Sequence, residues 1–164
     1  MLLRLLGLVG LIGFFGTGLI PAEDPAALSA VTYNIRYANP DDGPDFWSNR
    51  VDAVTSFLKD HDLAGLQEVT FSQLQDLQSR LTEFDSYGVG RDDGKQSGEH
   101  APIFYRRNRL EEVQRGTFWL GEAPEAVGVA GWDAALPRIC TWMILREKQN
   151  GATMLVANTH FDHR

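Results

Sequence analysis

The stretch LAGLQEVTFSQLQDLQSRL, Leu63 to Leu81, carries two hydrophobic periods back to back. Leu63 to Val69 is a short apolar run that ends on Glu68, as a buried strand would. From Phe71 onward, Leu74, Leu77 and Leu81 recur every three or four residues and share one face of a helix, with Thr70 or Ser72 as its N-cap. The same order occurs once before it. AVTYNIRY (Ala30 to Tyr37) is β-rich with Asn34 near its end, and Arg50 to Lys59 places Val51, Val54, Phe57 and Leu58 at helical spacing. ANPDDGPDFW, between the two, packs Pro, Asp and Gly into a loop. Strand, helix, strand, helix predicts an α/β protein.

Downstream the pattern changes. SYGVGRDDGKQSGEHAPIFYRRNRLEEVQRGTFWL reads as strand pieces broken by Gly- and Asp-rich turns. RICTWMILREKQNGATMLVANTHF reads as two strands joined at Asn150-Gly151, a strong hairpin signal. No internal repeat or low-complexity tract interrupts the chain.

Of the 164 residues, 43% are hydrophobic and 23% charged, which suits a single globular domain. The formal net charge of -7 excludes a general phosphate-neutralising surface for nucleic acid, so any phosphate would need a local site, most simply with a bound cation. Cys140 is the single cysteine; it forms no internal disulfide and reads as a buried small residue. Residues 1–22, with Arg4 before an apolar run and Ile20-Pro21-Ala22 at its end, read as a secretory signal peptide, an uncleaved anchor being the alternative. Residues 23–30 read as a linker. The expected location is therefore exported, periplasmic or extracellular, with no membrane span after cleavage.

Polar residues close three of the expected strands: Asn34, Glu68, and Asn158 with His160. Ligand sites in α/β sheets gather beyond the carboxyl ends of strands. Carboxylate and amide oxygens suit Mg²⁺, and an imidazole can hydrogen-bond a phosphate. Singly, each residue has an ordinary reading: Glu68 as a charge at a helix N-terminus, Asn34 as a turn former, His160 as a core histidine.

In order along the chain, TYNIRY, LAGLQEV, GEHAPIFYRRNRLEEVQRGTFWL, PRICTWMIL and NTHFDH resemble the endonuclease/exonuclease/phosphatase superfamily, from Val31 to Arg164. The resemblance implies a four-layer α/β/β/α sandwich, of which residues 31–164 would be the first half: a mixed β-sheet with helices on one face. It implies that Glu68 binds the metal, Mg²⁺ or alternatively Mn²⁺, with Asn34 beside it, and that His160 meets the substrate phosphate. It also implies that Glu99 orients His160 and that Arg138 contacts the phosphate. Asn158, Asp162 and His163 are weaker substrate-binding candidates. Arg91, Asp92, Asp93 and Lys95 in GRDDGK read as a solvated turn, the rim of the site being the alternative. Trp119, Trp132 and Trp142 read as core or cleft wall.

The family's later GDxN and SDH motifs do not occur in this sequence. The expectation is an N-terminal fragment, inactive and aggregation-prone by itself, because the bare face of its sheet would lose a packing partner. The expected parent is a monomeric, Mg²⁺-dependent hydrolase of phosphoric esters, acting on nucleic acid, a phospholipid head group or a sugar phosphate. The rival is a non-catalytic binding protein that keeps the half-fold as a scaffold.

Overall fold

The computed structural model describes residues 27–163, and the segment expected to be a signal peptide lies outside the described residues. Of the expected linker, Ala27 onward is described, and its end belongs to the fold. The Ser29 carbonyl accepts the N–H groups of Asp62 and Leu63, and Ala30 opens the first strand. No helix among the described residues is long and apolar enough to cross a membrane.

Seven strands and two helices follow in the order β1 (Ala30–Asn34), α1 (Trp47–Lys59), β2 (Leu63–Gln67), α2 (Phe71–Arg80), β3 (Phe84–Tyr87), β4 (Ile103–Arg106), β5 (Leu110–Trp119), β6 (Ile139–Glu147) and β7 (Thr153–Thr159), with a 3₁₀ turn at Pro40–Asp45. They form two sheets. The first is mixed, ordered β1-β2-β4-β3, with β1 and β2 parallel and the other pairs antiparallel. The second is antiparallel, ordered β5-β6-β7. The β6–β7 hairpin turns where Asn150-Gly151 predicts, with Gly151 at φ +75° and Asn150 Oδ1 accepting the Ala152 N–H.

Side chains alternate along each strand of the first sheet and sort it into two interfaces. Ala64 and Leu66 of β2 and Phe104 of β4 pack with Val51, Val54 and Leu58 of α1 and with Leu74 and Leu77 of α2. Leu63 of β2, with Ile103 and Tyr105 of β4, packs instead with Leu110, Met143, Leu145 and Val156 of the second sheet. The chain is thus α/β with three layers: helices, mixed sheet, antiparallel sheet.

This differs from the expectation of one sheet with a bare face. The first sheet is covered on both sides, because β5–β7 belong to a separate sheet that packs on it. Exposed apolar side chains lie elsewhere, among them Phe118 and Leu155 on the outer face of the second sheet, and Val127, Val129, Trp132 and Leu136 in the β5–β6 loop. Of the two readings given to the tryptophans, core or cleft wall, Trp119 is buried, whereas Trp132 is exposed and lines a surface cleft.

Local chemistry sets the element ends. Helix α1 starts three residues before the predicted spacing, where buried Trp47 donates from its indole to Asp76 of α2 at 2.8 Å. Thr70 caps α2 in a capping box with Gln73. Gln73 also reaches back to the segment that follows β1, its Nε2 donating to the Arg36 carbonyl at 2.9 Å and its Oε1 accepting from Ala38 N.

Two polar keys hold the sheets in register. At one end the buried Asn158 of β7 donates to the carbonyls of Leu66 (2.8 Å) and Pro102 (3.0 Å), and accepts from Gln67 Nε2 at 2.7 Å. Gly65 leaves the room: a Cβ there would lie 2.9 Å from the Asn158 amide. At the other end Arg109 bridges Asp62, ahead of β2, and Glu147, at the end of β6, at 3.1 and 3.0 Å. Both carboxylates are buried, and Asp62 further accepts the Ser29 N–H. Paired and hydrogen-bonded, buried charges of this kind are tolerated.

Candidate functional site

Strands β1 and β2 run parallel, so their carboxyl ends lie side by side and project Asn34 and Glu68 at the same edge. The chain leaves both strands through left-handed residues, Arg36 at φ +60° and Glu68 at φ +59°. For a non-glycine residue that backbone costs about 1–2 kcal/mol and persists only where the surroundings enforce it. Here they do. Asn34 Nδ2 donates to Glu68 Oε1 at 2.8 Å, and the Tyr37 N–H donates to Oε2 at 3.2 Å. Asn34 Oδ1 accepts the Arg36 N–H at 2.9 Å, which fixes the orientation of its amide. Arg36 in turn pairs with Asp42 and lies 4.5 Å over the Tyr37 ring.

The Glu68 carboxylate suits a hard cation, since Mg²⁺ takes one or two carboxylates and keeps waters. Asn34 turns its NH₂ group to Glu68 and its Oδ1 to the Arg36 N–H, an arrangement that orients the carboxylate. Among the described residues no group of three or more His, Cys, Asp or Glu side chains is placed to hold a metal.

The second cluster forms around Glu99, in the segment leading to β4. His100 bridges Val69 and Gly90 through antiparallel backbone pairs, which holds this segment against the end of β2. A small pocket there is walled by Arg91, Glu99, His100, Pro137, Arg138 and His160. Glu99 accepts from Arg91 at 2.9 Å and lies 3.8 Å from His160 Nδ1, an ion-pair separation longer than a hydrogen bond. Burial works to raise the Glu99 carboxyl, but the His160, Arg91 and Arg138 charges outweigh it and hold Glu99 below its ordinary range. Two buried nitrogens of the pocket, His160 Nδ1 and Arg91 Nε, have no hydrogen-bond partner.

Arg138 is 5% exposed and donates from Nε (3.1 Å) and Nη2 (2.9 Å) to Asp162 Oδ1. Asp162 thereby gains a definite role as the carboxylate that holds Arg138. His163 is exposed, with Nδ1 3.4 Å from Arg138 Nη2.

The structure therefore joins Asn34 to Glu68 in one cluster and Glu99, Arg138, His160 and Asp162 in a second, with His163 at its rim. Asn158 is the correction. At 3% exposure, with its amide spent on Leu66, Pro102 and Gln67, it braces the sheets and offers nothing to a substrate.

Arg91 corrects the other way. Its side chain is largely buried in the pocket and not solvated in a turn. His100 was not singled out by the sequence at all. It is buried, donates from Nδ1 to the Val69 carbonyl at 3.1 Å, stacks on Phe71, and is pushed to a lowered pKa by burial. Both belong to motifs whose turn residues dominate a sequence reading.

Solved structures share this arrangement of chain. An endonuclease/exonuclease/phosphatase from Bacteroides vulgatus is 48% identical, with a TM-score of 0.82 over 83% of this chain and 53% of that one. This chain belongs to the endonuclease/exonuclease/phosphatase superfamily. The mannosyl-6-phosphatase of Bacteroides thetaiotaomicron is 42% identical, with a TM-score of 0.81 over 84% of this chain and 52% of that one. The human Nocturnin catalytic domain, at 18% identity and a TM-score of 0.63 over 84% of this chain and 50% of that one, shares the superfamily fold. The chain spans about half the length of these structures. No family model matches it, and no curated protein does.

Proposed function

We propose that this chain is the part of an exported, Mg²⁺-dependent phosphoesterase that holds the metal-binding carboxylate and the phosphate pocket. One observation carries the reading: Arg91, Arg138 and His160 wall a single pocket, all three beside carboxylates, near the end of β2 where Glu68 follows. Cationic N–H donors preset in this way suit the charge of a phosphoryl group. Likeness to superfamily structures, one of them a mannosyl-6-phosphatase, supports it.

In this proposal Arg138 and Arg91 bind nonbridging oxygens of the ester. Arg138 spends two N–H groups on Asp162 and keeps others for substrate, since a guanidinium has five. His160 donates to the same phosphate, and Glu99, 3.8 Å from its Nδ1, orients the ring. Asn34 and the Tyr37 N–H aim Glu68, which would hold Mg²⁺. The chemistry that ion supplies when bound is polarisation of the phosphoryl oxygen and stabilisation of the leaving oxyanion. No water-activating step is assigned to these residues. Among substrates, a sugar phosphate is favoured over nucleic acid by the net charge of -7.

The test is turnover of p-nitrophenyl phosphate and its diester by the full-length protein, with and without Mg²⁺. The expected result is Mg²⁺-dependent release that His160→Ala lowers by about 10²- to 10⁴-fold. Equal turnover by wild type and His160→Ala would remove the pocket from the mechanism.

A further inference from the structure

The β5–β6 loop, residues 120–138, builds a second cavity that the phosphate chemistry leaves unused. A cleft of about 270 Å³ lies between Trp119 and Trp132, with Ala126, Val129 and Glu122 among its walls. Trp132 is 71% exposed and stands on a left-handed backbone, φ +51°. A bulky side chain held out in water at a disfavoured φ is unusual and suggests a function. The loop is nevertheless anchored. The Trp119 indole donates to the Arg91 carbonyl at 2.7 Å, and the Leu120 N–H to the Arg138 carbonyl at 2.7 Å. Gly128 approaches so near that a Cβ there would stand 2.3 Å from the Asp92 carbonyl oxygen.

The two arginines of the phosphate pocket are thus the backbone anchors of this loop, and Trp119 is a wall that backs onto Arg91. Through the Trp119 indole the cleft is tied to the Arg91 wall of the pocket, which makes it a candidate space for the alcohol portion of a phosphoester. The loop's charge limits what can enter. Between Gly121 and Pro137 it carries Glu122, Glu125 and Asp133 and no Lys or Arg. A second phosphate would be repelled there, while hydroxyl groups could donate to the carboxylates and an apolar ring face could lie on an indole.

We propose that the Trp119–Trp132 cleft is the specificity subsite for the alcohol portion of a phosphate monoester, and that its occupant is an uncharged, hydroxyl-rich ring such as a monosaccharide. This rests on the phosphate-pocket reading above, and the test separates the two. Dissociation constants would be measured by calorimetry on the full-length protein, without Mg²⁺ so that no ester is turned over, for inorganic phosphate, mannose 6-phosphate and adenosine 5′-monophosphate. Mannose 6-phosphate is expected to bind about 10-fold tighter than inorganic phosphate, the difference a single well-packed aromatic contact supplies. Trp132→Ala should erase that gap and leave inorganic phosphate unchanged, Trp132→Phe should keep most of it, and Arg138→Ala should weaken both ligands alike. A gap that survives Trp132→Ala overturns the subsite. A nucleotide that gains as much as the sugar phosphate, and loses it in Trp132→Ala, overturns the identity of the occupant. Absence of inorganic phosphate binding, unchanged in Arg138→Ala, would bring down the pocket reading itself.

Discussion

Asn158, in β7, and His160, just past the strand's end, stand two residues apart and do opposite things. Asn158 is sealed between the sheets with its amide oxygen and nitrogen all hydrogen-bonded. His160 faces the pocket with Nδ1 lacking a hydrogen bond and Glu99 held just beyond reach. The chemistry of the two residue types does not separate them, since both are common at active sites. What separates them is satisfaction: a polar group whose valences are met inside the protein holds structure, and one left short inside a pocket awaits a ligand.

The sharpest way to break this contrast is to truncate both. Asn158→Ala strands two carbonyls and the Gln67 amide in the interior, and urea denaturation should show a loss of about 3–4 kcal/mol. His160→Ala should stay within about 0.5 kcal/mol of wild type in the same measurement, because it gives up no internal hydrogen bond. A reversal of that order would undo the assignment of both.

Glu68 sharpens the comparison next. Glu68→Gly suits φ +59° and offsets the lost contacts to Asn34 and Tyr37, so stability should change by no more than about 1 kcal/mol. Phosphoesterase turnover of the full-length protein should fall by about 10²-fold or more, as expected for loss of a metal ligand. Gly65→Ala tests the room left for Asn158, and thermal unfolding should register about 1–3 kcal/mol of overpacking.

The smallest effect concerns pH. Glu99 has a depressed pKa in the folded chain, so its stabilising pairs are fully present above the ordinary value of 4.5 and are lost as pH falls through the lower folded value. Glu99→Gln should therefore flatten the acid limb of the stability profile below pH 4.5, measured as the urea midpoint, and leave its shape near neutrality unchanged. An acid limb identical to wild type would mean that Arg91 and His160 do not act on this carboxylate.

Much of this was legible in the sequence because periodicity is local. Leu74 and Leu77 share a helix face by spacing alone, and Asn150-Gly151 needs a turn whatever surrounds it. Membership of a sheet is not local. The alternation in β6 states that one face is buried and leaves open whether β2 or a neighbour in its own sheet buries it, so the second sheet was read as part of the first. Arg91 was hidden for a related reason: GRDDGK has the composition of a solvated turn, and its burial depends on Trp119 and the β5–β6 loop folding over it. Asn158 was misread because a polar residue inside an apolar strand looks the same whether it meets a ligand or two carbonyls from the opposite sheet.

The candidate site also straddles a seam. Asn34, Glu68 and Glu99 come from the layer that faces the helices, and Arg138 and His160 from the layer behind it. The Asn158 and Arg109 keys stop those layers from sliding along one another, like pins at the two ends of a mortise joint. The gap between the carboxylate edge and the guanidinium edge is therefore a fixed dimension of the fold, set before any ligand arrives and not adjustable by closing a hinge.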